Sequence, residues 1–280
     1  MPTSHRNHPF LMGLWAYICT FGVILSFPAF LRPAPAQEAP VDRTSELPEG
    51  VNEAHPLVPA LLKAYESRSA LQQVKDFEAT FLKREVVGRK LLKSTMQVKV
   101  RQSPFSVYMK FIEPYAGREV LYVDGQNQGN FLVHEAGFKS LAGTFSFAPR
   151  SPDALAENRY PITMMGLHNL IDGVIAQWES EAKYGETEVT YRPRNKLGEV
   201  ECEVIESSHP QPRKQFKFHL TRLWIESKTN LPVRIEQYDF PTTNSKTPVL
   251  TEEYTYVRIR PNIGLTNRDF DKSNRNYAFP

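Results

Sequence analysis

Residues 76–111 have the sequence DFEATFLKREVVGRKLLKSTMQVKVRQSPFSVYMKF, in which apolar residues recur with a period of two. The residues on this alternation are Phe77, Ala79, Phe81, Leu92, Met96, Val98, Val100, Val107, Met109 and Phe111. Charged or hydroxyl residues lie between most of them, and Gly88 and Pro104 separate the runs. A period of two is typical of β-strands, and short turns between runs favour antiparallel neighbours. We therefore expect consecutive antiparallel strands with one apolar face.

The two segments that follow, 119–124 and 130–134, carry apolar residues at both parities. This pattern indicates that both faces of the sheet are covered there. Further strands are predicted at residues 187–191, 200–206, 215–226, 233–240 and 250–259. Between these two groups of strands, residues 137–158 are apolar but irregular, and we expect a long loop that either covers another part of the protein or is itself covered.

Two main helices are predicted beside the sheet. The first spans about residues 57–73, with Pro56 and Pro59 tolerated in its first turn. The second is marked by one continuous apolar stripe at helical spacing, formed by Leu167, Leu170, Ile171, Val174, Ile175 and Trp178. The predicted fold class is therefore α+β, with a large antiparallel sheet of roughly ten strands covered by two main helices.

The first 36 residues are predicted to be an export signal. Arg6 precedes an uncharged, mostly apolar stretch at residues 10–27, and Ala34-Pro35-Ala36 has the small-x-small pattern of a cleavage site. Cleavage after Ala36 would leave residues 37–55 as a flexible tether and residues 56–280 as a single domain. The apolar stretch is also about long enough to span a bilayer. The sequence thus allows either a periplasmic or otherwise exported protein, or one anchored through an uncleaved N-terminal segment.

Charge and cysteine content narrow the function classes. The formal net charge is only +3, which argues against nucleic acid as a partner. Beyond the export signal Cys202 is the single cysteine, so an intramolecular disulfide is excluded there. A small buried hydrophobic residue is the commoner role for such a cysteine, and a nucleophile is the alternative.

No catalytic or metal-binding motif is recognisable. The histidines are scattered without the spacing of zinc ligands. Residues 267–278 resemble the start of a calcium loop, but Lys272 stands in place of the turn glycine and Ala278 in place of the bidentate glutamate. We therefore expect no enzyme, no catalytic residue, no metal and no cofactor.

Several motifs resemble the periplasmic lipoprotein carriers LolA and LolB and the related sensor RseB. They are Asp76-Phe77-Glu78-Ala79-Thr80-Phe81, Val107-Tyr108-Met109-Lys110-Phe111, Leu121-Tyr122-Val123-Asp124-Gly125 and the hairpin Trp224-Ile225-Glu226 to Leu231-Pro232-Val233-Arg234-Ile235. The chain after the export signal is also similar to a bacterial family of unknown function, whose ending resembles residues 264–271 here.

The resemblance implies a curved, incomplete antiparallel barrel, closed by helices, with an apolar cavity for acyl chains. Such a cavity would bind lipid without a catalytic group, because each buried methylene contributes about 0.8 kcal/mol. The candidate ligand-binding residues are Val98, Val100, Val107, Met109, Phe111, Leu121, Val123, Phe131 and Trp224. The expected function is that of an exported cell-envelope protein, a monomer, that holds a lipid, an acyl chain or a lipidated protein.

The alternative is a non-enzymatic interaction or sensor protein of the envelope, similar to RseB, whose partner is another envelope protein. The same apolar residues would then form a filled core. Residues 137–158 add to this alternative, since an apolar segment of that length could plug the opening of a cavity.

Overall fold

The structure is a computed structural model that describes residues 47–242 and 246–280. The predicted export signal, 1–36, and the first part of the predicted tether, 37–46, lie outside the described residues. Within the described end of the tether, Leu47 and Val51 pack against the main hydrophobic core. The chain is thus in contact with the domain before the first helix begins.

Eleven strands among the described residues form one antiparallel sheet, which does not close into a barrel. They are β1 (Asp76–Val87), β2 (Lys90–Arg101), β3 (Ser106–Glu113), β4 (Glu119–Val123), β5 (Phe131–His134), β6 (Thr144–Phe147), β7 (Glu188–Leu197), β8 (Val200–Ser208), β9 (Leu220–Glu226), β10 (Pro232–Asp239) and β11 (Val249–Pro261). The helices are α1 (Val58–Leu71), the short α2 (Pro152–Leu155) and α3 (Leu167–Glu181). The predicted α+β class, with its large antiparallel sheet and two main helices, is confirmed.

The strand order is β6-β5-β4-β3-β2-β1-β11-β10-β9-β8-β7. From the centre of the sheet the chain runs outward in hairpins to the edge strand β6. It then passes through α3 to the other edge, β7, and returns inward to β11, which pairs with β1. The first and last strands therefore meet in the middle of the sheet, and each half of the sheet is a separate meander.

Both long helices pack against the same face of the sheet, which we call the helix face. Every second residue of the strands presents an apolar side chain to this face, and the apolar stripes of the two helices pack against these side chains. Trp178 of α3 is fully buried, and its Nε1 donates a 2.9 Å hydrogen bond to Oγ of Ser207 on β8. The main core includes Leu61, Phe77, Val98, Ile171, Trp178 and Leu223.

The opposite, outer face of the sheet is polar over β1 and β7–β11. Seven charged side chains of alternating sign form a continuous row of ion pairs across these six strands, with N–O distances between 2.5 and 3.4 Å. In order they are Arg84, Glu253, Arg234, Glu236, Arg222, Glu206 and Arg192. Neighbouring opposite charges on adjacent strands stabilise the pairing and allow this half of the outer face to remain in contact with water.

The other half of the outer face is covered by the C-terminal segment, residues 262–280. Phe270 and Phe279 pack with Tyr108, Leu121, Val123 and Leu132 in a second, smaller hydrophobic core. The ring of Tyr277 stacks on that of Tyr108 with 3.9 Å between centroids. This cover explains why β4 is apolar at both parities, since all five of its residues are buried.

Two sequence-based predictions are wrong in detail. Residues 144–147 of the predicted loop form β6, a strand too short to show a period of two clearly. The predicted strand at 215–226 begins only at Leu220, because residues 210–219 are irregular. In that irregular part Phe216 is buried against the ring of His209, with 3.7 Å between centroids. The sequence suggests one alternation that includes Phe216, Phe218, Leu220 and Trp224, and this alternation is incorrect because Phe216 and Phe218 precede the strand.

Candidate functional site

A cavity of about 860 Å³ lies on the helix face of the sheet. Its apolar floor consists of side chains from β1–β6 and β10, namely Phe81, Met96, Met109, Phe111, Val120, Phe131, Val133, Phe147 and Ile235. Its other side consists of residues that precede or belong to α3, including Ile162, Met164, Met165, Leu170 and Val174. The cavity is therefore a space between the sheet and the chain that crosses it.

Strand register explains why the floor is apolar. Met96 pairs with Phe111, Met109 with Val120, and Phe131 with Phe147. Directly opposite residues on neighbouring antiparallel strands point to the same face, so these pairs form a continuous row. The row lies over β2–β6, whereas α3 packs on α1 and β10. The position of the helix leaves this part of the sheet uncovered, and the cavity occupies the gap.

The side of α3 that borders the cavity carries small residues. Gly173, Ala176 and Ser180 all line the space. A Cβ atom added at Gly173 would meet no heavy atom within 4 Å. These three small side chains, beside the larger Leu170 and Val174, therefore leave space that contributes to the volume of the cavity.

One side of the cavity is a polar wall, formed by Lys83, Glu85, Tyr160, Glu252 and Tyr254. Glu85 is only 1% exposed, and its carboxylate accepts hydrogen bonds of 2.7 Å from Nζ of Lys83 and 2.6 Å from the Tyr254 hydroxyl. Lys83 in turn donates 2.5 Å to Oδ1 of Asn158. A buried carboxylate needs such donors, since desolvation otherwise penalises its charged form.

The second carboxylate of the polar wall, Glu252, is equally well bonded. Nε of Arg159 donates to its Oε2 at 2.6 Å, and the Tyr160 hydroxyl donates to its Oε1 at 2.9 Å. Burial raises the pKa of Glu252, although Arg159 opposes the shift. Burial and the charges of Glu252 and Glu85 also raise the pKa of Tyr254 strongly. The bonds fasten residues 157–160 to the sheet and leave the two carboxylates satisfied within the protein.

A smaller polar group lies where α3 meets β10. Nε2 of Gln237 donates 2.6 Å to Oε1 of Gln177, whose own Nε2 donates to Oε1 of Glu181 at 2.9 Å and to Oγ1 of Thr221 at 3.0 Å. Oε2 of Glu181 lies 3.3 Å from Nε2 of His209. These contacts set the position of α3 over the sheet and limit the cavity at that end.

The rim of the cavity includes Arg118 and aromatic side chains of β3 and its turn. The guanidinium lies over the ring of Tyr115, 3.8 Å from its centroid, and forms a 2.7 Å ion pair with Glu135. Tyr115 also donates a 3.0 Å hydrogen bond to Glu157. Tyr115 and Met164 are both partly open to solvent, so the cavity is accessible from this side.

The structure brings together only some of the predicted site residues. Met109, Phe111 and Phe131 line the cavity. Val98 and Val100 lie on the same face but are buried in the main core. Val107, which pairs with Val100, is also fully buried and does not line the space.

Three of the candidates lie on the other face of the sheet, which corrects the prediction. Leu121 and Val123 pack under the C-terminal segment, because Val120 rather than Leu121 pairs with Met109. Trp224 lies on the outer face with Arg234, 5.4 Å from the guanidinium carbon to the ring centroid. Its neighbours Leu223 and Ile225 are the buried apolar residues of β9.

Several residues that line the cavity were not among the predicted site residues. Phe81 and Met96 belong to the same alternating apolar set as Met109, so the sequence pattern could have identified them. Phe147 lies in the segment that was predicted to be a loop. The residues of the polar wall come from segments far apart in sequence, so no local motif marks them.

The described residues contain no group of three or more His, Cys, Asp or Glu side chains placed to hold a metal ion. Among the helices of the same residues, none has the length and apolarity needed to cross a bilayer.

Comparison with solved structures gives similarities at low sequence identity. The lipoprotein LppX of Mycobacterium tuberculosis is 16% identical with a TM-score of 0.44, over 76% of this chain and 99% of that one. LprF of Mycobacterium bovis is 13% identical with a TM-score of 0.44, over 76% and 97%. A putative outer membrane lipoprotein-sorting protein domain of Vibrio parahaemolyticus is 13% identical with a TM-score of 0.34, over 76% and 96%.

A comparison with curated proteins gave no match. Residues 74–279, well over half of the chain, match a family described as Protein of unknown function (DUF1571). The match confirms the prediction, made from the sequence, of a family without an assigned function. The chain belongs to the DUF1571 family.

Proposed function

We propose that this protein binds an amphiphile in the cell envelope, a lipid or a lipidated protein whose acyl chain occupies the cavity on the helix face. The observation that carries this proposal is the apolar floor of a cavity of about 860 Å³. Sites for small molecules usually have volumes of roughly 300–1,000 Å³ and are lined mainly by apolar side chains. The predicted export signal at residues 1–36 and a single ligand-binding domain from residue 56 are parts of the same proposal.

The polar wall supports binding rather than catalysis. Within the described part of the chain, three buried carboxylates line the space, those of Glu85, Glu181 and Glu252. Glu85 and Glu252 accept strong hydrogen bonds from side chains of the protein. Glu181 accepts one from Gln177 and lies 3.3 Å from Nε2 of the buried His209. A general acid or base must be able to exchange a proton with its substrate. Carboxylates that are held in this way stabilise the wall and orient a polar head away from the apolar floor.

The alternative of a sensor with a filled interior is the weaker candidate. Its interior would have to be packed to the density of an ordinary core, with few voids larger than a water molecule. The cavity described above is much larger than such a void.

The proposal is tested with protein isolated from envelopes and with protein from which bound lipid has been removed. Mass spectrometry of an organic extract should recover a bound amphiphile from the first sample. A fluorescent fatty acid should titrate into the second with saturable binding. An empty protein that also takes up no fatty acid would contradict the proposal.

A cavity-filling variant makes this test specific. Gly173→Leu places a large apolar side chain in the open space beside α3 and should weaken fatty-acid binding at least tenfold. Glycine is less favourable than alanine in a helix by roughly 0.8–1 kcal/mol, and leucine is nearly as good a helix former as alanine, so the free energy of unfolding should not fall. Asp172→Leu, one position away and exposed outside the cavity, is the matched control and should bind as the wild type does. Equal losses in both variants would argue against the cavity as the binding site.

A further inference from the structure

Phe138 and Leu141 are the two most exposed large apolar side chains of the described residues, with 89% and 79% of their surface accessible. Both lie on the 3₁₀ helix Gly137–Ala142. Residues three apart in a 3₁₀ helix are eclipsed, so the two side chains project from the same side. We call this pair the apolar ridge. Single exposed apolar residues are common on proteins, whereas an adjacent pair this exposed is not explained by folding.

The apolar ridge is joined in the chain to aromatic residues that reach the cavity. Phe145, on the edge strand β6, is partly exposed, and its ring lies 6.4 Å from that of Phe147. Phe147 in turn lies 5.7 Å from Phe131, and both of these rings line the cavity. Phe145, Phe147 and Phe131 thus form an apolar path from the sheet edge beside the ridge to the cavity floor.

The charge of the same segment favours one kind of partner. Lys139, which lies between the two ridge residues, and Arg150 are both exposed. Of the acidic residues that flank residues 136–152, Glu135 is paired with Arg118 and Asp153 lies beyond β6. Exposed aromatic and aliphatic side chains next to basic ones suit the interface of an anionic bilayer, where the apolar groups enter the boundary region and the cations approach the headgroups.

We propose that the apolar ridge docks on an anionic bilayer, so that β6 meets the membrane edge-on and an amphiphile can pass along the aromatic path into the cavity. The docking step depends only on the ridge and its charge. The passage of cargo rests on the proposed function.

Docking is tested by flotation of the full chain with vesicles of phosphatidylethanolamine and phosphatidylglycerol, and with vesicles of phosphatidylcholine alone. The double variant Phe138→Ser/Leu141→Ser should bind the anionic vesicles at least tenfold more weakly than the wild type. Tyr191→Ser, on the opposite edge strand β7, is the matched control and should bind unchanged. The N-terminal segment is the same in all three proteins, so it cannot produce a difference among them. Equal binding by the double variant and the wild type would overturn the proposal.

A local probe distinguishes insertion from an effect elsewhere. The emission of Phe138→Trp, corrected for the native tryptophans, should shift to shorter wavelength with anionic vesicles and be quenched by brominated lipid, whereas that of Tyr191→Trp should not change. Unchanged emission from Phe138→Trp would overturn docking. So would a double variant that lost self-association, measured by sedimentation, while keeping vesicle binding.

The docking proposal and the proposed cargo binding can be contradicted separately. The double variant should still take up a fluorescent fatty acid from solution with wild-type affinity, because the apolar ridge lies outside the cavity. Vesicle docking without fatty-acid uptake by the wild type would remove the proposed function and leave the ridge proposal standing. Fatty-acid uptake without any ridge-dependent docking would remove the ridge proposal and leave the proposed function standing.

Discussion

The hydroxyl of Tyr254 donates a 2.6 Å hydrogen bond to Oε2 of Glu85, and the two residues come from opposite ends of the folded chain. Glu85 lies on β1 and Tyr254 on β11, the pair of strands that joins the two halves of the sheet. The same carboxylate accepts from Lys83, which also binds Asn158 at the side of the cavity. One buried carboxylate thus connects the seam of the sheet to the wall of the proposed binding site.

Tyr254→Phe should destabilise the protein by roughly 1–3 kcal/mol, because a buried carboxylate loses one of its donors. Urea unfolding followed by circular dichroism would measure the change. Tyr191→Phe removes a hydroxyl from a half-exposed tyrosine on β7 and should leave the free energy of unfolding within about 0.5 kcal/mol of the wild type. If the two variants are equally stable, the hydrogen bond does not contribute to folding.

The pH dependence of stability should carry a contribution from Glu252. Burial raises its pKa in the folded state above the ordinary value of 4.5, so the folded protein takes up this proton at a higher pH than the unfolded chain does. The contribution of this group is fully present below pH 4.5 and is lost as pH rises through the folded-state pKa. Glu252→Gln should remove that decrease from urea unfolding curves measured upward from pH 4.5. Glu201→Gln, an exposed position on β8, should retain it.

The C-terminal segment should be essential to stability although its hydrophobic core lies on the face of the sheet opposite the helices. Phe270 is buried in the second core, and truncation of such a side chain to alanine usually costs roughly 3–5 kcal/mol. We expect Phe270→Ala to lower the midpoint of urea unfolding markedly. Phe138→Ala removes an equally large but exposed ring and should change stability by less than about 0.5 kcal/mol. A small effect at Phe270 would mean that the segment can leave the sheet at little cost.

Cys202 should be unreactive in the folded protein. Its side chain is fully buried, and burial raises the pKa of the thiol to about 11. Only about one molecule in a thousand would carry the thiolate at pH 8, and the thiolate is the nucleophile. Alkylation with iodoacetamide, followed by peptide mass spectrometry that separates Cys202 from Cys19, should label Cys202 only after unfolding in urea. Rapid labelling of the native protein would reopen a chemical role for this residue.

Prediction from the sequence worked where the local pattern was uninterrupted. The alternation in residues 76–111 corresponds to β1, β2 and the first six residues of β3, and the apolar stripe from Leu167 to Trp178 lies within α3. Prediction was wrong where the pattern allowed either of two sets of side chains to face the helices. In β4 every residue is buried, so alternation could not decide between Val120 and Leu121 for the helix face.

The candidate site shows the same limit. Met109, Phe111 and Phe131 could be chosen as lining residues from their parity, since side chains of a strand alternate between the two faces. Trp224 was assigned to the wrong face, because parity cannot be carried from Phe216 through the irregular residues before β9. The polar wall could not be predicted, since Glu85, Tyr160 and Glu252 are far apart in sequence.

The sequence by itself determined the antiparallel strands and the amphipathic helices, because periodicity is written into neighbouring residues and is imposed by backbone geometry. Only the tertiary structure decided which part of the helix face is left uncovered. Whether a space is filled depends on where α3 packs, and that position is set by β10, α1 and the contacts of Gln177, which no local pattern records.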